Sequence, residues 1–223
     1  MPHILLLNPN THTATTHTMV QLLQAQLPAH WQVSGVTATH GTALITNAAQ
    51  LATAHTQVIA CWQRAQTQGP WDAIVLACFA DPALQALRQA SGVPTVGIGQ
   101  AALLAASAGG QRFGIATTTP QLDAAMRAQV QQLGLSALCT GLRYTTTPAN
   151  QLMEQPQQLQ QELLQTVQAC AQTDGAQRVV IGGGPLGAVA LQLAAHSPVP
   201  LVAPLTATAQ WLLQQLPATT NAP

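Results

Sequence analysis

Short runs of leucine and β-branched residues recur along the chain, each ahead of turn residues and each followed by a longer stretch rich in Ala, Gln and Leu. That alternation predicts an α/β fold. The expected strands cover residues 4–7, 32–37, 73–77, 95–98, 112–116, 141–144, 178–181 and 201–203. The expected helices cover 13–26, 41–67, 82–91, 99–108, 120–132, 157–173, 186–195 and 207–216. A run such as Ala73-Ile-Val-Leu-Ala77 is apolar throughout rather than alternating, as in a parallel strand covered on both faces.

Two segments are copies of one pattern. Asp72-Ala-Ile-Val-Leu-Ala-Cys78 is followed by Val93-Pro-Thr-Val, and Gln177-Arg-Val-Val-Ile-Gly-Gly183 by Val199-Pro-Leu-Val at nearly the same interval. Ile4-Leu-Leu-Leu-Asn8-Pro-Asn10-Thr11 likewise pairs with Phe113-Gly-Ile-Ala-Thr117-Thr-Thr-Pro120. Two similar Rossmann-like parallel-sheet domains related by a pseudo-twofold axis are the natural reading. The first takes residues 1–100 and is rejoined by a C-terminal helix over 205–217, and the second takes 101–204. Ligands of open parallel sheets bind beyond the carboxyl ends of the strands. The repeat therefore brings loops 8–11, 78–81, 117–119 and 182–185 to one cleft.

Composition narrows the chemistry. Of 223 residues 5% are charged, six acidic against six basic, where an average protein has about a quarter. No basic surface for nucleic acid is expected. Every basic residue is arginine, so lysine Schiff-base chemistry, pyridoxal phosphate and a Walker-type loop are excluded. The six carboxylates form no close pair of the glycosidase kind. Seven histidines show no HxxxH or HExxH spacing, and neither a metal nor another cofactor is expected. Four cysteines without CxxC spacing and a start lacking a charged leader fit a reduced, cytoplasmic protein. The apolar runs fall short of the ~20 residues of a membrane helix. A small molecule is the expected partner, and assembly into a homo-oligomer stays open.

Within the cleft loops, Cys78 is the candidate catalytic residue. It ends a buried strand just before Asp81-Pro82, which reads as an N-cap and first helical residue. A thiol beside a helix start is expected to have a lowered pKa. Taken singly, a strand-end cysteine is more often a small core residue, and Asp81 a cap rather than an acid or base. Asn8, Asn10, Thr11, Phe79, Ala80, Asp81, Thr117, Thr118, Gly183, Gly184 and Pro185 are the expected substrate-binding positions, where small and polar residues suit a carboxylate, an imide or an enolate oxygen. The glycine run at 182–184 lacks the rest of a dinucleotide fingerprint.

Together, the segments Leu7-Asn-Pro-Asn-Thr11, Ala77-Cys-Phe-Ala-Asp-Pro-Ala-Leu84, Gly97-Ile-Gly-Gln100 and Ile115-Ala-Thr-Thr118 resemble the aspartate/glutamate racemase superfamily, most of all its hydantoin and allantoin racemase branch. The resemblance spans nearly the whole chain, least surely the linker at 148–151. It implies two α/β domains about a cleft and cofactor-independent catalysis by two cysteines, one from each domain. Cys78 matches the first. The second belongs to a Leu-Gly-Cys-Ala-Gly-Met segment, which corresponds here to Ile181-Gly-Gly183-Gly-Pro-Leu186 with Gly183 in the cysteine's place. The internal repeat pairs the same two positions.

The expectation is a single-cysteine enzyme acting on a small hydantoin-like ring or carboxylate. It would be a lyase or a hydrolase-like enzyme, for example by desulfuration of a thiohydantoin or by decarboxylation of a carboxylate. A racemase with a second base elsewhere and a non-catalytic small-molecule binding protein are the alternatives.

Overall fold

The computed structural model describes residues 1–216, which form two four-stranded parallel sheets. The first contains β1 (His3–Asn8), β2 (Gln32–Thr37), β3 (Ala73–Leu76) and β4 (Thr95–Gly97) in the order β2-β1-β3-β4. The second repeats that order with β5 (Phe113–Thr117), β6 (Cys139–Tyr144), β7 (Arg178–Gly182) and β8 (Leu201–Val202), as β6-β5-β7-β8. The connecting helices are α1 (Thr13–Gln24), α2 (Ala48–Ala65), α3 (Leu84–Ser91), α4 (Ile98–Ser107), α5 (Asp123–Gln132), α6 (Ala149–Leu152), α7 (Pro156–Gln172), α8 (Gly187–Leu193) and α9 (Pro204–Gln215). In each sheet the chain turns one way from the first central strand and the other way from the second. The loops leaving β1 and β3, and β5 and β7, therefore splay apart at a topological switch point.

The central strands are apolar because both of their faces are covered. Ile4, Leu6, Ala73 and Val75 point to one side and share a core with Met19 of α1, Ile98 and Leu103 of α4, Leu205 and Leu212 of α9, and Phe113, Ile115 and Val180 of the second sheet. Leu5, Leu7, Ile74 and Leu76 point the other way, onto Val58 and Trp62 of α2 and Leu87 of α3. The second sheet's outer face buries Val179 and Ile181 against Leu163 and Val167 of α7. Each such fully buried side chain contributes about 1.5–3 kcal/mol. One core thus runs through both halves, and α9 packs on α1, α4, α8 and β7, touching both. Residue 217, the expected last residue of that helix, lies outside the described residues.

Four expectations need correction. The helix expected over 41–67 starts at Ala48, where Asn47 Oδ1 accepts from Gln50 N and Gln50 Oε1 accepts from Thr46 N. This reciprocal cap leaves 38–47 as a loop. The linker at 148–151 contains the short helix α6. Ile98 opens α4 rather than closing a strand. Asp81 and Pro82 do not start a helix: α3 begins at Leu84 behind Ala83, whose backbone is left-handed (φ 58°) and which makes no side-chain cap.

Candidate active site

The four switch-point loops meet in a cleft between the halves that encloses about 680 Å³, its open mouth included. On the β1 side, the fully buried Asn8 donates through Nδ2 to Asn10 Oδ1 and Thr16 Oγ1, both at 2.8 Å. Asn8 Oδ1 accepts from Asn10 N, and Asn10 Oδ1 accepts from His12 N. Asn8 is therefore spent on shaping the loop, while Asn10 lines the cleft. Thr11 hands its N–H to Thr42 O and lies outside the lining, and His12 caps α1 by accepting from Thr15 N. On the β5 side, the fully buried Thr117 donates to Gly182 O at 2.6 Å, and Thr118 and Thr119 line the cleft.

Cys78, Phe79 and Ala80 form one wall, and Gly182, Gly183, Gly184 and Pro185 belong to the facing loop. Close packing explains the glycine run. A Cβ on Gly182 would sit 3.2 Å from Phe79 Cε1, and one on Gly184 would sit 2.7 Å from Met19 Sδ. Phe79, Met19 and Ile98 of the first half, together with Thr117 and Leu186 of the second, fill the space that side chains here would need. Gly183 has φ 156°, and a Cβ there would lie 3.0 Å from Leu186 Cδ1.

Cys78 retains partial exposure, to the cleft it lines, yet its thiol is surrounded densely enough that burial pushes it up to about 12. The Ala80 N–H opposes this shift, and the nearby Asp81 carboxyl adds to it. This corrects the expected lowering. No helix starts immediately behind Cys78, and the carboxyl beside it, when ionised, disfavours the thiolate. The thiol is therefore protonated at neutral pH.

Asp81 is itself outside the cleft lining. Its Oδ1 accepts from Gly99 N at 3.2 Å, and its Oδ2 accepts from Gln100 N and from Gln129 Nε2, both at 2.6 Å. Asp81 does cap a helix, but the helix is α4. Burial pushes its carboxyl up to about 8, against the pull of those donors and of Arg88. The Gly97-Ile-Gly99 segment permits the arrangement, because a Cβ on Gly97 would sit 2.1 Å from Asp81 Cγ and one on Gly99 1.8 Å from Phe79 O.

The apolar part of the cleft was not legible as such. Leu44 and Ile45 come from the loop read as helix, Leu122 and Met126 from the entry to and body of α5, and Met153 from just beyond the segment read as linker. The cap signature at Asn47 and Gln50 would have released the first two. No comparable signal marks the others. Among the described residues, no group of three or more His, Cys, Asp or Glu side chains is gathered to hold a metal, and no helix is long and apolar enough to cross a membrane.

Residues 4–212 match the family Asp/Glu/Hydantoin racemase. The chain belongs to this family. A hydantoin racemase of Rhizobium meliloti is 31% identical over 205 residues, 92% of this chain and 85% of that protein. The allantoin racemase from Klebsiella pneumoniae superposes with a TM-score of 0.87 at 27% identity, covering 96% of this chain and 88% of that one. Arylmalonate decarboxylase shares the fold, with a TM-score of 0.67 at 18% identity over 99% of this chain and 94% of that one. Within this member of the Asp/Glu/Hydantoin racemase family, then, two halves of one design face each other with a thiol on one side and a bare backbone on the other.

Proposed function

We propose that the protein is a cofactor-independent enzyme that acts through Cys78 on one face of a small hydantoin-like ring or carboxylate, as a lyase or hydrolase-like enzyme. One observation carries the reading: Cys78 is the one titratable side chain among the described residues lining the cleft, and Gly183 stands across from it. Asn10, Thr118 and Thr119 offer neutral hydrogen bonds to ring or carboxyl oxygens, and the apolar wall of Leu44, Ile45, Leu122 and Met126 takes the remainder of the molecule. In a decarboxylation, the bond to the leaving carboxylate breaks and its electron pair stays on the carbon beside the carbonyl. The neutral thiol then delivers its proton to that carbon and regains one from water. In a desulfuration, the sulfur adds to the thiocarbonyl carbon while its proton passes to the departing sulfur. Water replaces hydrogen sulfide and releases the thiol.

The named relatives favour a second reading, interconversion of hydantoin enantiomers, in which a proton carrier from outside residues 182–186 faces Cys78. Proton NMR in D₂O with 5-substituted hydantoins, thiohydantoins and 2-substituted malonates separates the readings. Product formation supports the proposal. Exchange of the α-proton with inversion supports the second reading, and saturable binding without turnover overturns both.

A further inference from the structure

The cleft chemistry leaves unused a buried carboxyl one turn beyond the thiol. We propose that Asp81 is a positioning residue for Cys78: its carboxyl group fastens the thiol-bearing loop to the amino end of α4 and to Gln129 of the second half, and so holds the sulfur at a fixed place on the cleft wall. The inference rests on Cys78 being the reacting group.

The loop between β3 and α3 is strained. Asp81 (φ 46°) and Ala83 (φ 58°) are the non-glycine residues with positive φ among the described residues, a conformation that persists only where the surroundings hold it. What holds it is the carboxyl group's set of three donors, Gly99 N, Gln100 N and Gln129 Nε2. The strained turn includes the backbone that bears the thiol, because Asp81 N donates to Cys78 O at 2.9 Å. Phe79, between them, sits with its carbonyl over Gly99 and its ring on Gly182. The clasp therefore joins the thiol loop, the helix that leads from the first half into the second, and α5.

Charge adds a second effect. Arg88 of α3 faces the carboxyl, and His55 of α2 lines the groove behind it together with Gln100, Gln129 and Gln132. Cys78 is the thiol that the carboxylate disfavours as an anion. In the ionised state, Asp81 thus helps keep Cys78 a proton donor as well as fixing its place.

The test uses alkylation of Cys78 by iodoacetamide over a pH series, located by peptide mapping, in the wild type, Asp81→Asn and Gln129→Met, with circular dichroism as the check on folding. Asp81→Asn removes the charge with little change of shape. Its Cys78 should react several-fold faster, with the midpoint of the pH profile lower by about one unit. Gln129→Met keeps the charge and loosens the anchor to the second half, so the rate should rise several-fold with the midpoint unmoved. If Asp81→Asn does not fold, Gln129→Met carries the test. Wild-type rates and midpoints in the folded variants overturn the proposal. Alkylation needs no substrate, so that failure leaves the proposed reaction standing. Normal clasp behaviour with no turnover strikes the reaction instead.

Discussion

The loop after β3 and the loop after β7 occupy the same place in two sheets of the same strand order, yet they are built in opposite ways. The first bears Cys78 and is held by side chains: Asp81 reaches three donors, and Phe79 packs across the interface. The second is nearly all backbone, with Gly182 giving way to Thr117 and to Phe79 of the first half, Gly183 to Leu186 of its own loop, and Gly184 to Met19 and Ile98 of the first half. A duplicated fold need not duplicate a site. One half can carry the reacting group while the other shapes the space around it.

Replacing Cys78 with Ala removes the thiol that sets the first loop apart and should lower turnover by a factor on the order of a thousand or more. Cys139→Ala, away from the cleft, should leave turnover unchanged. Steady-state rates on whichever substrate the NMR panel reveals check both, and an active Cys78→Ala protein would break the comparison.

Making the loops alike from the other side is the next largest test. Gly183→Cys alone meets Leu186 Cδ1 and a backbone at φ 156°. Pairing it with Leu186→Met removes the branched end and largely conserves volume. Chiral chromatography of 5-substituted hydantoins should show enantiomer interconversion at least about tenfold faster in the double variant than in Gly183→Cys. Efficient interconversion already in the wild type would mean that the second half supplies an acid by another route.

Asp81 gives the first half a pH signature. Its carboxyl titrates near 4 when unfolded and is pushed up to about 8 when folded, so the folded state binds the extra proton between those values. Its contribution to stability is fully present below the unfolded value and is lost as pH rises through about 8. Denaturant unfolding across that window should show the wild type losing stability with rising pH relative to Asp81→Asn.

Smaller effects belong to the second half. Thr118→Val removes one hydroxyl from the cleft and should raise KM several-fold, as expected for a hydrogen bond worth about 1 kcal/mol. Glu162 of α7 accepts from the backbone N–H groups of Thr146 and Thr147, and these hydrogen bonds, with those from the Thr147 hydroxyl and Gln158, hold its carboxyl down at about 2. That contribution is present above the unfolded value and is lost as pH falls through about 2. Glu162→Gln should speed hydrogen exchange at the Thr146 and Thr147 amides and leave the first half untouched.

The strands, the duplicated halves and the loops that meet in the cleft are all legible in the sequence, because a strand buried on both faces must be an apolar run and each run ends at its own turn. Cys78 and its counterpart Gly183 are visible for the same reason: both stand at the end of such a run, at matching places in the repeat. The direction of the thiol's pKa was not legible, since it depends on how many atoms surround the sulfur and on a carboxyl three residues away whose orientation local sequence leaves open. The Asp81 cap shows this most clearly. A residue-by-residue reading assigns the carboxyl to the helix that follows it, whereas in the folded chain it turns to α4, because Gly97 and Gly99 leave a notch there and Gln129 closes it from the other half. The apolar lining from Leu44, Ile45, Met126 and Met153 was hidden likewise. Hydrophobic periodicity reports that a side chain is buried, and the packing of distant elements decides whether it is buried in a core or against a ligand's space.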